Sequence, residues 1–512
     1  MLRKTTTLAT AISAITLAMS VNTFADSHAA DGVFDGAFKS SWDQFVEDSS
    51  FDYRVRLSHF DLSPHRGDIT HQLTRDEISA LESLGQVPAG TTAVLDNPLV
   101  PDANKQAAIA QISQGASADA TAGVKKDGDV RETGVGLWTH FKSGYLFDFI
   151  GFDLGTNSGK VIASPGTGSK LAPDAGSSTM SRIAIANVKL RYGDEDRYIG
   201  LRHGKMQLGL PHFFRDPNEW LLDHQYKGTM IDGKWDKFYV YGLDLEAYSD
   251  VNKKKFIDIN DVSYFNRANF DSTYSLGSDY KSDYGTLTAE TTWSDNYMRS
   301  NLMQVETGLP LAKVGMNVPD NMDHMLILVA QHSWQKAEKD FVNQFGKHLP
   351  DHKSTTSEVL LGMQYDALFV GASVLQIGDK GFFHPGIGKW NGGLIDILTD
   401  ETLINEWNQP NQRTISFAID YNWKNFGVPE FRTGMITSHA SKIDMDQVLK
   451  NGDAQYYLTG KDKYKETIFE AEYKWQDGPL EGLGARVSAG WETNQAELKG
   501  FGAFITYDAA LF

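Results

Sequence analysis

The sequence predicts an all-β protein: one transmembrane antiparallel β-barrel, exported by a cleaved signal. Three observations predict it. Aromatic residues make up 12% of 512 residues, yet mean hydropathy is only -0.36. Apolar and polar residues alternate with period two through most of the chain. Beyond the N-terminus there is no run of about 20 apolar residues, the length of a membrane-spanning helix. A barrel reconciles all three, because alternate residues of each strand meet lipid while the others stay polar.

The first element is the export signal, residues 1–25. Arg3 and Lys4 supply its positive start, Leu8 to Met19 its apolar stretch, and Thr23-Phe24-Ala25 a small-x-small cleavage site. That stretch is too short for a good membrane span. With no cysteine in the chain, a lipid anchor, a disulfide scaffold, a thiolate metal site and a cysteine nucleophile are all excluded.

The barrel is expected to occupy residues 26–512. Its clearest strand is Phe51 to Phe60, where Phe51, Tyr53, Val55 and Leu57 share one face and Asp52, Arg54, Arg56 and Ser58 the other. Further along, Ala184, Ala186, Val188, Leu190 and Tyr192 alternate with Asn187, Lys189 and Arg191. Ile415, Phe417, Ile419 and Tyr421 alternate with Ser416, Asp420 and Asn422. Phe469, Ala471, Tyr473 and Trp475 alternate with Glu470, Glu472 and Lys474. Charges side by side on an inner row are costly in a dry core and cheap in a water-filled lumen, so the pattern favours a channel over a sandwich. Tyr473, Trp475, Trp491 and Tyr507 sit near strand ends, as an interfacial girdle requires.

Short turns are expected at Lys142-Ser143-Gly144, Ser294-Asp295-Asn296 and Gln476-Asp477-Gly478, and a long connection at His384 to Asn411. Short and long connections in alternation match periplasmic turns and outer loops. Residues 63–129 break the pattern: a long polar outer loop with two short helices, folding over or into the mouth. Thr74-Arg75-Asp76-Glu77 is a capping box with Gly85 as its stop, and Asp102 caps a second helix through Ile112. Phe512 gives the chain an aromatic end, out of phase with the apolar row Ile505, Tyr507, Ala509 and Leu511.

A net charge of -18 argues against a nucleic-acid partner, which needs a basic face. Asp258-Ile259-Asn260-Asp261 lacks the glycine and terminal glutamate of an EF-hand, and the 14 histidines form no HExxH, so no metal site is expected. Neither GxSxG nor a Ser/His/Asp order appears, and no catalytic residues and no cofactor are expected.

Several motifs, in order along the chain, resemble the OprD-type substrate-specific porins, a family that includes the chitoporins. Phe45-Val46-Glu47-Asp48-Ser49-Ser50 is similar to the family's first-strand opening. Val188-Lys189-Leu190-Arg191, Gly204-Lys205-Met206-Gln207 and Leu210-Pro211-His212-Phe213 resemble the approach to its constriction loop. Ser294-Asp295-Asn296-Tyr297 with Gly308-Leu309-Pro310-Leu311-Ala312 looks like a family hairpin. Asn425-Phe426-Gly427-Val428-Pro429 and Gln476-Asp477-Gly478-Pro479 resemble starts of later strands.

The resemblance implies a bacterial outer-membrane barrel of about 18 strands, a monomer or homotrimer in lipid, with an inward loop and passive passage of a small hydrophilic solute. It also implies an arginine ladder along one lumen wall. Arg56 and Arg486 match ladder positions; Ser488 and Ile436 stand where further arginines are expected, and Arg432 is displaced. The substrate path is therefore expected to involve Arg54, Arg56, Arg191 and Arg486, with Glu470 and Glu472 adding negative charge. The constriction is expected at His212, Phe213, Phe214, Arg215, Asp216 and Trp220, where aromatic and charged groups suit sugar rings. The thinned ladder points first to neutral oligosaccharides such as chitooligosaccharides. The alternatives are an amino-acid or carboxylate channel, an adhesion or scaffold barrel, and an enzyme barrel.

Overall fold

The computed structural model describes residues 41–510, apart from 65–77, 80–81, 83–88, 99, 110–129, 165–177, 209–221, 250–254, 259–272, 320–322, 339–340, 342–347, 384–407, 453–461 and 494–497. Residues 1–25, Leu511 and Phe512 lie outside the described residues, as do the capping box at Thr74 and all six constriction residues from His212 to Trp220.

The described strands form one closed antiparallel sheet. They are β1 Ser50–Pro64, β2 Val130–Lys142, β3 Ile150–Ala163, β4 Thr179–Gly193, β5 Arg197–Met206, β6 Gln225–Trp235 and β7 Phe238–Ser249. After the two-residue β8 Ile257–Asp258 come β9 Thr273–Ser282, β10 Gly285–Ser294, β11 Met298–Pro310, β12 His324–Ala337, β13 Lys353–Tyr365 and β14 Leu368–Ile377. The last are β15 Arg413–Asn422, β16 Phe431–Ser441, β17 Tyr464–Lys474, β18 Leu483–Thr493 and β19 Leu498–Ala510. Each long strand pairs with its neighbours in the chain, β8 being bypassed by the β7–β9 pairing. The ring closes where β1 pairs with β19, Tyr53 opposite Ala509 and Arg56 opposite Thr506. Setting β8 aside, the barrel has 18 strands.

Why the sheet closes follows from its residues. Val55, Leu57, Phe152, Leu154, Val188, Phe417, Ile419 and Phe469 all point out and are exposed. Inward rows are polar and mostly covered: Arg56, Ser58, Asn187, Lys189, Ser416 and Ser438. Closure pairs every edge, which an open sheet of this size would leave bare. Among the described residues the register slips three times, with an extra residue on β3, β4 and β7; on β4 it moves a residue off its expected face. A register shift at Gly155/Thr156 makes Ala184 an extra residue on β4, so Ala184 is buried rather than outward. A bulge reverses the faces on either side of it; Ile183 points out and Ile185 in.

Short connections gather at the end where β1 starts and β19 stops. There β4 and β5, β6 and β7, β9 and β10, and β13 and β14 are joined by tight turns, with Asp236 and Asp366 at positive φ. The opposite end carries most of the long connections. By that asymmetry the turn end is periplasmic and the loop end external.

Two details differ from the sequence reading. Phe45-Val46-Glu47 does not open the first strand: residues 41–47 are helical and β1 starts at Ser50. The Ser49 hydroxyl donates to the Phe45 carbonyl at 2.6 Å, and Phe45 stacks on Trp42 and leans on Phe152. In the 63–129 segment, Asp102 is the first residue of a helix rather than its cap, and that helix is described through residue 109. An unexpected helix α1, Thr91–Asp96, precedes it. No side chain of its own N-cap closes α1; instead the Glu82 carboxylate accepts from the backbone N–H of Gly90 and of Thr92.

The main apolar cluster lies inside the barrel at the loop end. Tyr297, Phe341, Phe382, Phe383, Ile443 and Val448, all from loop-end connections, pack against Leu243, Leu245, Met298 and Tyr464 of the wall. Helix α2, Met445–Lys450, is capped by Asp444 and buries Val448 here. The connections after β10, β12, β14 and β16 therefore fill part of the lumen.

Candidate functional site

The lumen wall is built from inward rows held in register. On β1, Arg54 and Arg56 stand beside Asp508 and Thr506 of β19 on one side, and beside Trp138 and Gly136 of β2 on the other. Arg54 pairs with Asp508. The Arg56 Nε donates to the Thr506 hydroxyl at 3.3 Å. Both guanidiniums lie over the Trp138 ring, 5.9 and 5.3 Å from its centre. On β18, Arg486 stands opposite Glu472 and Phe504 and covers the Phe504 ring at 4.8 Å. These are cation–π placements, in which a flat cation rests on the ring's negative face.

Glu470 and Glu472 fall on the same wall, so the charges meet. Arg486 reaches Glu470 at 3.9 Å, and the Ser488 hydroxyl donates to Glu470 at 3.2 Å. Glu472 takes Lys474 at 2.9 Å. The displaced Arg432 points into the lumen too, bonded to Asp420 at 2.8 Å. Ser488 therefore serves as a partner for Glu470 where another arginine was expected, and Ile436 is simply an inward apolar residue opposite Ile468.

Arg191 stands apart from this group, with β2 and β3 between. It belongs to a second basic cluster that sequence reasoning largely missed. Lys189 on β4 stands opposite Arg202 on β5, and Arg191 opposite Gly200. Lys189 forms an ion pair with Asp153 at 2.8 Å, with side chains only 10% and 8% exposed. The parity of Tyr198, Gly200 and Arg202 on β5 was the signal that places Arg202 inward.

The connection after β5 enters the barrel at both ends. Met206 and Leu208 before it, and Leu222, Asp223 and His224 after it, are all buried. Arg182, also unanticipated, holds the returning end: its guanidinium donates to the Ser249 hydroxyl at 2.7 Å and to the Asp223 carbonyl. Gln207 donates to the Asp223 carboxylate at 2.8 Å. The expected constriction residues lie between these ends and outside the described residues.

Beyond β6 the wall changes character. Tyr241 donates to Glu290 at 2.6 Å, Thr288 to Asp279 at 2.8 Å, and the hydroxyls of Ser275 and Thr292 meet at 2.8 Å. At the loop end, His352 is buried between Phe341 and Phe383 and meets Gln335 Oε1 at 3.0 Å. Burial, with Lys380 nearby, pulls its pKa down to about 3.

A family model described as outer membrane porin, OprD family, matches residues 113–500. Among curated proteins no match in sequence is found. Solved structures match throughout. Pseudomonas aeruginosa OccK9 (OpdG) is 15% identical with a TM-score of 0.66, covering 91% of this chain and 100% of that one. Pseudomonas aeruginosa OpdK with vanillate is 15% identical with a TM-score of 0.64 and the same coverage. Acinetobacter baumannii OccAB2 is 15% identical with a TM-score of 0.64, covering 92% and 100%.

Proposed function

Since the chain belongs to the OprD family of outer-membrane porins, a closed barrel for substrate-specific diffusion across the bacterial outer membrane, we propose that its solute is a small carboxylate. One observation carries this. The aromatic rings of the β1–β2 and β18–β19 wall are not open to a sugar: Trp138 and Phe504 are 7% and 5% exposed and lie beneath Arg54, Arg56 and Arg486. What the wall offers is the guanidinium groups of Arg54 and Arg486, side chains 31% and 23% exposed, whose N–H forks match carboxylates. The apolar cluster fed by four loop-end connections takes up lumen on the far side and leaves the solute near this wall. The neutral-oligosaccharide reading rests on His212 to Trp220 and becomes the competing outcome. Pseudomonas aeruginosa OpdK was solved with vanillate and OccK2 (OpdF) with glucuronate, both carboxylates.

In the same reading residues 1–25 are removed on export, the exposed apolar rows face lipid, and the barrel works as a monomer or homotrimer. Planar-bilayer recording tests the solute. Benzoate added at the loop face interrupts the current and chitotriose does not. Block by chitotriose alone would reverse the assignment in favour of sugars.

A further inference from the structure

A second feature of the wall goes unused by the path just described. At the turn end, a cavity of about 360 Å³ opens between β4, β5, β6 and the β2–β3 turn. That volume falls in the range of small-molecule sites. Its walls carry four cations, Lys189, Arg191, Arg202 and Lys234. Two are committed elsewhere: Lys189 to Asp153 at 2.8 Å and Lys234 to Asp196 at 3.3 Å. Arg191 and Arg202 make no ion pair among the described residues, and the Nε of each is buried without a hydrogen-bond partner. A buried donor left unsatisfied costs stability unless something arrives to accept from it.

The rest of the lining completes a binding geometry. The Arg191 guanidinium sits 4.9 Å from the Tyr198 ring centre and 5.8 Å from that of Tyr145. Stacking fixes the plane of the fork while leaving its edge to a ligand. Asp232 stands across Gly200 from Arg191. Its Oδ2 accepts from Tyr198 at 3.0 Å and Tyr239 at 3.2 Å. The other oxygen, Oδ1, lies over Gly200, where a Cβ would come within 2.6 Å. Glycine thus keeps open the space between an anion-binding fork and a carboxylate acceptor.

We propose that this cavity is a second solute subsite at the periplasmic mouth, taking a small organic carboxylate that also carries a hydrogen-bond donor. The carboxylate meets Arg191 and Arg202, and the donor meets Asp232 Oδ1. The proposal rests on the carboxylate reading of the pore, and it assigns the exit a selectivity of its own, for hydroxylated or amino-bearing acids over plain ones.

The test is single-channel recording of the full barrel with 4-hydroxybenzoate or benzoate added to one face at a time. Expected for the wild type is block from both faces, with 4-hydroxybenzoate at least threefold stronger than benzoate from the turn face. Replacing both arginines (R191Q with R202Q) weakens turn-face block tenfold or more and keeps loop-face block. The single change Asp232→Asn removes the preference for the hydroxylated probe while benzoate block persists, which also shows that the cavity still folds. Turn-face block unchanged in the double variant overturns the subsite and leaves the carboxylate reading standing. Wild-type channels blocked from neither face overturn both.

Discussion

The inward rows divide the lumen into two unlike halves. From β16 round through β1 to β6 they carry Arg432, Arg486, Arg54, Arg56, Lys189, Arg191, Arg202 and Lys234, set among carboxylates such as Glu470, Glu472, Asp508, Asp153 and Asp232. From β7 to β15 they carry Asp279, Glu290, Glu306, Glu358 and Asp420, and among the described residues their one cation is Lys281, beside the turn. The halves also differ in how charge is held. On the basic side, cations rest on aromatic rings or on single carboxylates. On the other, carboxylates accept from hydroxyls, as Glu290 does from Tyr241. A net charge of -18 therefore says little about which ion travels, because an anion can follow the basic half while the acidic half repels it toward that wall.

The largest way to break this contrast is at its buried anchor. Asp153→Ala leaves Lys189 charged, covered and alone, and removing one partner of such a pair costs roughly 3–5 kcal/mol. Expected is a marked fall in the denaturant midpoint of the folded barrel in detergent; a change under about 1 kcal/mol would mean that water reaches Lys189 freely. Next comes the path itself. Replacing Arg56 and Arg486 together with glutamine should weaken loop-face benzoate block tenfold or more, about 1.4 kcal/mol, and shift the reversal potential in a salt gradient toward cations. On the acidic half, Glu290→Gln is expected to move the reversal potential the other way by less, since Tyr241 and Ser275 already share that charge.

How far the sequence could be read depended on what period two can and cannot carry. Alternation placed Arg54, Arg56, Glu470 and Glu472 on inner rows, because one residue's parity settles its face, whereas Arg486 came from the family resemblance. Alternation failed at Ala184, where a bulge inserts an extra residue and leaves no mark in the pattern. Parity also says nothing about which strands lie side by side around the ring. Arg191 was therefore grouped with Arg56, though β2 and β3 separate them, and its true neighbours, Arg202 and Lys234, were passed over. The interior apolar cluster was illegible for a different reason. It is assembled from single residues of separate connections, such as Tyr297, Phe382 and Val448, and no local period links them.

That cluster supplies the smallest and most specific expectation. His352 is packed between Phe341 and Phe383 and held neutral there, its pKa pulled from 6.5 to about 3. Folding thus opposes protonation. The packing contributes fully above pH 6.5, where the unfolded imidazole is also neutral, and its contribution falls as pH drops from there toward 3. The slope is on the order of 1 kcal/mol per pH unit in that window. Hydrogen exchange of the amides around Phe341 and Phe383 should therefore speed up between pH 6.5 and 5, with the β1–β2 wall unchanged as an internal reference. His352→Gln, which cannot titrate, should flatten that dependence. If the variant's exchange keeps the wild-type pH profile, after correction for intrinsic rates, another group controls the loop end. Among the described residues of this aromatic stack, Tyr297 also titrates, but burial raises its pKa away from this window, so His352 is the side chain there that acid can charge.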